Sequence, residues 1–171
     1  MGREVSCCTG DNFVRLASID TPLGVMTAGA TAAGICLLEF TDPQKLQVPV
    51  APAASPHLTL LEHELATYFA HGSVRFTVPL VVVGTEFQLR VWKELRRIPY
   101  GETRSYGKIA EAIGRPRAMR AVGRANGTNR IAILIPCHRV VNKDGSLGGY
   151  AAGSWRKQRL LALEGIAGSW L

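Results

Sequence analysis

Near the end of the chain a thiol, an imidazole and a guanidinium follow one another as Cys137-His138-Arg139, directly after Pro136. A cysteine attacks as its thiolate, a nearby imidazole can accept the thiol proton, and a guanidinium adds positive potential that favours the anion. The chemistry on offer is nucleophilic attack by sulfur. The competing reading is packing, because cysteine is among the most buried residue types and behaves as a small hydrophobe. The run Ile131-Ala-Ile-Leu-Ile just before it reads as a buried strand that Pro136 ends, placing the sulfur where the chain leaves a sheet. Cys7, Cys8 and Cys36 show no framework spacing, and sequence neighbours such as Cys7 and Cys8 do not readily bridge each other. Free thiols fit a reducing, intracellular setting.

The elements that must position this trio are legible from periodicity. In the first half, Phe13 to Ile19, Gly24 to Ala28 and Gly34 to Phe40 are short apolar or alternating runs separated by turn residues, which predicts a small three-stranded antiparallel sheet. The segment from Asp42 to Pro56 holds Pro43, Pro49, Pro52 and Pro56 among small residues and reads as an irregular connection. Leu58, Leu61, Leu65 and Phe69 then recur at helical spacing, predicting a helix over 57–70. In the second half Phe87, Val91, Trp92 and Leu95 mark a helix that stops at Ile98-Pro99, and Ser105 is a capable N-cap for a helix that ends at Gly114. Arg115-Pro116 reads as the start of another helix, in which Ala118, Ala121, Val122 and Ala125 share one face and Arg117, Arg120 and Arg124 the other. Two short helices joined by a glycine-containing turn, the second basic, form a helix-turn-helix candidate, with an ordinary packed helix pair as the alternative.

The size and charge of the chain agree with this division. A length of 171 residues at 47% hydrophobic content fits one domain or two small ones, with enough apolar mass for a core. Residues 1–83 carry four Lys/Arg against seven Asp/Glu, whereas residues 84–171 carry sixteen against six, so a polyanionic partner belongs to the second half. No run of about 18 apolar residues suggests a membrane span, and the N-terminus lacks the apolar core of a secretory signal. A soluble, cytoplasmic protein is expected.

The wider text around the thiol decides between chemistry and packing. Ile135-Pro136-Cys137-His138-Arg139-Val140-Val141, preceded by Arg120-Ala-Val-Gly and Asn129, resembles the active-site region of the O6-alkylguanine-DNA alkyltransferases, the methylated-DNA–protein-cysteine methyltransferases. Gly84-Thr-Glu-Phe-Gln, Val91-Trp92, Ile98-Pro-Tyr-Gly-Glu-Thr and Ser105-Tyr106 are similar to the upstream signature of that family, and Gly149-Tyr150 with Leu160-Leu161 and Glu164-Gly165 to its end. The resemblance spans 84–171 and, more loosely, the first half.

That resemblance implies an α/β (α+β) protein: a ribonuclease-H-like N-terminal domain over 1–83, then a mostly helical DNA-binding and catalytic domain over 84–171 with a winged helix-turn-helix. It implies a partner, double-stranded DNA bearing alkylated guanine, gripped from the minor groove, with small residues such as Ala118, Ala121 and Ala125 allowing close approach. The target nucleotide would be rotated out of the stack. By the same resemblance Cys137 accepts the alkyl group once and irreversibly, His138 takes the thiol proton through a water, and Glu164 orients the imidazole and favours its protonated form. Asn129 holds the turn before the cysteine. Arg120 fills the gap left by the base, Tyr106 donates to guanine N3, and Ser105 and Ala121 flank these on the DNA side. The carbonyls of Cys137 and Val140 accept from the exocyclic amine, and Tyr150 and Ala151 lie on a loop that closes over the base. O4-alkylthymine is a second expected lesion. No cofactor is expected, and no metal, since Cys7, Cys8, Cys36, His57, His63 and His71 lack ligand spacing. A monomer is expected, with cooperativity along DNA left open. Arg130 stands where many relatives have proline, which predicts a looser turn and an added phosphate contact, and Ala151 where serine or glycine is frequent. The alternatives are a non-catalytic protein that binds alkylated guanine, a winged-helix regulator with a packed or redox-active Cys137, and a thiol hydrolase.

Overall fold

A computed structural model of the chain describes residues 14–41, 55–72 and 75–168. Cys7, Cys8, Phe13 and the proline-rich connection up to residue 54 lie outside the described residues. The first half opens with three strands, β1 (Arg15–Ile19), β2 (Met26–Thr31) and β3 (Gly34–Phe40), paired antiparallel in the order β1-β2-β3. The register pairs Ile19 with Met26 and Met26 with Phe40, so one face presents Met26, Ala28 and Leu38 to the core. The 16-residue helix α1 (Pro56–His71) covers that face with Leu58, Leu61 and Leu65. It begins at Pro56, one residue before the helix that periodicity predicts; proline is well suited to a first helical turn because its missing N–H has no intrahelical partner there.

Beyond α1 the chain runs extended past the far edge of β3. Ile35 N donates to Pro79 O at 2.8 Å and Val81 N to Ile35 O at 2.8 Å. Gly34 permits this approach: its φ is +146°, and a Cβ there would lie 2.3 Å from Pro79 O.

The second half consists of helices α2 (Glu86–Leu95), α3 (Tyr106–Ala112), α4 (Met119–Gly127) and α5 (Ser154–Leu163), with a two-residue parallel pairing of β4 (Arg104–Ser105) and β5 (Val140–Val141). Thr85 and Gln88 close a reciprocal capping box on α2, and Ser105 Oγ accepts from Lys108 N to cap α3 as its sequence predicts. Val91, Trp92 and Leu95 of α2, Ile109 of α3 and Val122 of α4 share the core, and Trp92 Nε1 donates to Ala125 O at 2.8 Å. No helix among the described residues is long and apolar enough to cross a membrane.

Two expectations fail here. Residues 115–118 form a turn, with Ala118 N donating to Arg115 O, so α4 starts three residues past Pro116 and Arg117 sits outside it. Ala125 consequently faces inward, 3% exposed, and cannot line a DNA surface; Ala121 is half-buried and Arg120 and Arg124 are exposed. Residues 131–135 are buried as expected but are not a strand. Only Ile131 bridges to Leu38, after which the chain coils: Ile135 N donates to Ile131 O, and Ile133 adopts φ +70°. An apolar run records burial, whether or not a ladder forms, and periodicity cannot separate the two in five residues.

Candidate active site

The coil at 131–135 delivers the chain to a single 3-10 turn, Cys137–Arg139. Asn129 fixes this path with its one side chain. Its Oδ1 accepts from Ile131 N at 3.0 Å, while Nδ2 donates to Ile135 O at 2.9 Å and to Cys137 Sγ at 3.1 Å. An expected turn-holder is therefore also a direct partner of the sulfur. The neighbouring Asn126, which the sequence reading missed, donates to Cys137 O at 3.3 Å.

Cys137 is buried, 5% exposed. Burial raises its pKa, and the Asn129 hydrogen bond and the charge of Lys157 only partly oppose this. Burial thus favours the neutral thiol, against the anion that a neighbouring imidazole and guanidinium suggest in sequence. Its surroundings are nonetheless polar. Tyr150, a member of the loop at 147–153, has a buried hydroxyl without a hydrogen-bond partner, and burial and the adjacent Cys137 raise its pKa well above the ordinary value. Tyr106 is half-buried at the same place, its pKa raised by burial and then by Cys137. Gly148 completes this wall: at φ +65° it brings the backbone so near that a Cβ would lie 3.1 Å from the Tyr106 hydroxyl.

His138 is fully buried and joins Glu164 through Nε2 at 2.9 Å, while its Nδ1 is buried and has no hydrogen-bond partner. Burial lowers the imidazole pKa, and the hydrogen bond and charge of Glu164 do not fully offset it. Glu164 thus favours imidazolium, as expected, while burial pulls the other way and leaves the imidazole pKa below its ordinary value. A neutral ring that donates from Nε2 to a carboxylate carries its lone pair at Nδ1, the form a proton acceptor requires. Arg139 turns inward, giving Nε to Glu164 Oε2 at 2.7 Å, Nη2 to Oε1 at 2.9 Å and Nη1 to Ile98 O at 2.7 Å. Its charge therefore serves Glu164 first.

Besides Asn126, three side chains enter this cluster that the sequence did not single out. Tyr68 of α1 donates to Glu164 Oε1 at 2.7 Å, bringing the first half of the chain to the carboxylate. The sequence analysis places Phe69, not Tyr68, on the apolar face of this helix, although Tyr68 also follows Leu61 and Leu65 at helical spacing. Lys157 of α5 is buried and donates to Val140 O at 2.5 Å and to Leu147 O. Burial lowers its pKa to about 8, against the favourable pull of Cys137. The Val140 and Cys137 carbonyls, expected to face guanine, are already engaged within the chain: Val140 O accepts from Lys157 Nζ, and Cys137 O accepts both from Asn126 Nδ2 and from Val140 N. Arg156 is the third.

Arg130 departs from its expectation. It pairs with Glu39 of β3, Nε to Oε1 at 3.1 Å and Nη2 to Oε2 at 3.4 Å, and its carbonyl accepts from Leu38 N at 2.8 Å. The position gains a tie to the sheet where a phosphate contact was expected. Ser105 caps α3, Ala151 is exposed on the loop after Tyr150, and His57 meets Ala32 O at 3.2 Å. Among the described residues no group of three or more His, Cys, Asp or Glu could hold a metal ion.

Comparison with known proteins gives this geometry its family. Residues 86–166 match the family model described as 6-O-methylguanine DNA methyltransferase, DNA binding domain. A methylated-DNA–protein-cysteine methyltransferase of Mycolicibacterium paratuberculosis is 44% identical over 156 residues, 89% of this chain and 93% of that one. The chain belongs to the methylated-DNA–protein-cysteine methyltransferase family. The crystal structure of the O6-methylguanine methyltransferase of Mycobacterium tuberculosis agrees in fold, with a TM-score of 0.78 and 42% identity over 92% of this chain and 96% of that one. A second structure of the protein from that organism, in complex with DNA, has a TM-score of 0.74 and 44% identity over 86% of this chain and 90% of the other. In this family member the 3-10 turn carries Cys137 and His138 as consecutive residues. The resemblance seen in residues 84–171 is therefore one of kinship, and the chain is a DNA-repair methyltransferase with a three-stranded antiparallel sheet followed by a helical DNA-binding domain.

Proposed function

We propose that Cys137 is the acceptor of the alkyl group from O6-alkylguanine in duplex DNA, and that O4-alkylthymine is a further substrate. The observation that carries this reading is a pair of contacts on consecutive residues: Asn129 Nδ2 to Cys137 Sγ at 3.1 Å, and His138 Nε2 to Glu164 at 2.9 Å, which leaves His138 Nδ1 without a partner. Proton transfer from the thiol to His138 Nδ1, through an intervening water, leaves a thiolate that Asn129 and the Lys157 charge stabilise. The sulfur then attacks the alkyl carbon: a carbon–sulfur bond forms, the carbon–O6 bond breaks, and the electron pair leaves on guanine. Tyr106, donating to N3, stabilises that developing anion, and the base takes up a proton in place of its alkyl group. The thioether is inert to water and to the relay, so each molecule acts once.

The base can reach this buried sulfur only after extrusion from the stack. In this reading α4 enters the minor groove with Arg120 filling the vacated space, Ser105 and Ala121 lie against the backbone, and Tyr150 and Ala151 close over the base. The Cys137 and Val140 carbonyls accept from the exocyclic amine, that of Cys137 in exchange for one of its two present donors, Asn126 Nδ2 and Val140 N. Residues 84–171 form the catalytic and DNA-binding domain and residues 1–83 a separate N-terminal domain, the protein acts as a monomer, and no cofactor takes part.

Incubation with a duplex bearing label on the methyl group of O6-methylguanine tests the assignment. One equivalent of label on the peptide containing Cys137 is expected. In Cys137→Ser transfer should vanish while binding to the lesion-bearing duplex persists; label retained by that variant would assign the acceptor elsewhere. Binding without transfer in the unsubstituted protein would instead support a non-catalytic reader of alkylated guanine.

A further inference from the structure

The loop at 147–153 carries Tyr150 to the thiol, and both of its ends are tied by the first turn of α5. Lys157 Nζ donates to Leu147 O, and Arg156 Nη1 donates to Ala152 O at 2.8 Å. Arg156 also reaches out of the second half. Its Nε donates to Leu23 O at 2.9 Å, in the turn between β1 and β2, and its guanidinium lies between the Phe40 ring at 4.9 Å and the Trp155 ring at 4.4 Å. The turn it grips is itself fixed, with Gly24 N donating to Thr21 O at 3.0 Å and Thr21 Oγ1 to Gly24 O at 2.6 Å.

We propose that Arg156 is a specificity-determining positioning residue: it ties the loop beside Cys137 to the N-terminal hairpin and so sets the width left for the alkyl group. The inference rests on Cys137 being the acceptor. A planar guanidinium presents separate donors to two carbonyls at once, and the two rings hold its plane, whereas an ammonium on a flexible stem cannot fill both positions. Ala152 stands two residues after Tyr150, whose hydroxyl lies beside the sulfur. A loop pinned at Leu147 and Ala152 presents Tyr150 as a fixed wall. Released at Ala152, the wall yields to a bulky group and orients a methyl group less well. The N-terminal hairpin thereby acts on substrate choice from a distance, through one side chain.

Single-turnover rates on duplexes carrying O6-methylguanine or O6-benzylguanine test the proposal in Arg156→Lys and Arg156→Ala. The benzyl-to-methyl rate ratio is expected to rise about fivefold or more, as for changes in an apolar substrate pocket. Amide exchange should quicken together at residues 147–153 and 21–24. If both transfer rates fall by a common factor, or the ratio is unchanged in a folded Arg156→Lys, Arg156 serves stability alone and the proposal fails. Should Arg156→Ala not fold, Trp155→Ala removes one stacking ring while leaving both carbonyl contacts, and a smaller shift of the ratio in the same direction is expected. Absence of label on Cys137 of the unsubstituted protein from either duplex would defeat the acceptor assignment itself and this inference with it.

Discussion

Four hydrogen bonds converge on Glu164: one from Tyr68, one from His138 and two from Arg139. Burial alone would raise its carboxyl pKa, yet the His138 and Arg139 hydrogen bonds and charges overcome this and bring it down to about 2 from 4.5. A folded-state pKa below the unfolded one contributes stability that is fully present above about 4.5 and is lost as pH falls toward 2. Near neutrality Glu164 is therefore ionised, able to hold His138 with its lone pair at Nδ1. Glu164→Gln removes that charge and leaves Arg139 without its carboxylate. The transfer rate near pH 7 is expected to fall about tenfold or more and to recover as pH rises, because hydroxide can then take the thiol proton. A pH–rate profile checks this; an equal loss at every pH would mean that Glu164 acts on packing rather than on proton transfer. The same substitution should lower stability by about 3 kcal/mol or more, as for breaking a buried ion pair, measured by denaturant unfolding.

At the scale of elements, the three strands and helices α1 to α3 were legible because each has a strong periodic pattern and recognisable ends, such as Ser105 before α3 and Gly114 after it, whereas α4 starts later than Pro116 suggests and α5 was not read. The coil at 131–135 was not legible. Its apolar residues are buried by neighbours from distant parts of the chain, and its backbone is held by Asn129, a contact no local pattern encodes. The site divides the same way. Cys137, His138 and Glu164 were readable from the family pattern, whereas the roles of Tyr68, Lys157 and Arg156 depend on α1, α5 and a hairpin turn meeting in space. The coil also yields a graded prediction. Asn129→Ala deletes the acceptor for Ile131 N and the donor to Ile135 O and Sγ, and should cost about 2–4 kcal/mol from two or more buried hydrogen bonds. Asn129→Asp keeps the acceptor for Ile131 N but sets a negative charge against the sulfur. It should unfold at a higher denaturant concentration than Asn129→Ala yet react with iodoacetamide more slowly than the unsubstituted protein, since a neighbouring anion raises the thiol pKa. Equal reactivity in Asn129→Asp and the unsubstituted protein would reduce Asn129 to a holder of the turn.

Across the whole molecule the excess of positive charge and the catalytic turn lie in the same half, while the other half braces that turn through α1, β3 and the β1–β2 hairpin. The Arg130–Glu39 pair, about 40% exposed on each side, is worth at most about 1 kcal/mol by itself, so the backbone bonds between Leu38 and the catalytic coil matter more for that bracing. Helix α4 exposes Arg120 and Arg124, which offer duplex DNA two chemically alike groups with different expected duties. A phosphate contact made by Arg124 would weaken binding in Arg124→Ala equally for damaged and undamaged duplex, and would reduce the slope of log affinity against log salt by about 0.9. A residue that fills the space of an extruded base has another signature. It matters only when there is a stack to leave, so Arg120→Ala should slow transfer from duplex O6-methylguanine by about tenfold or more, a few kcal/mol being the cost of unstacking, with reaction toward free O6-benzylguanine unaffected. Single-turnover rates on the two substrates, set beside a salt titration of binding, separate the duties. If Arg120→Ala loses rate equally on the free base, its effect reaches the sulfur through the fold, and the extruded-base role passes to another side chain of α4.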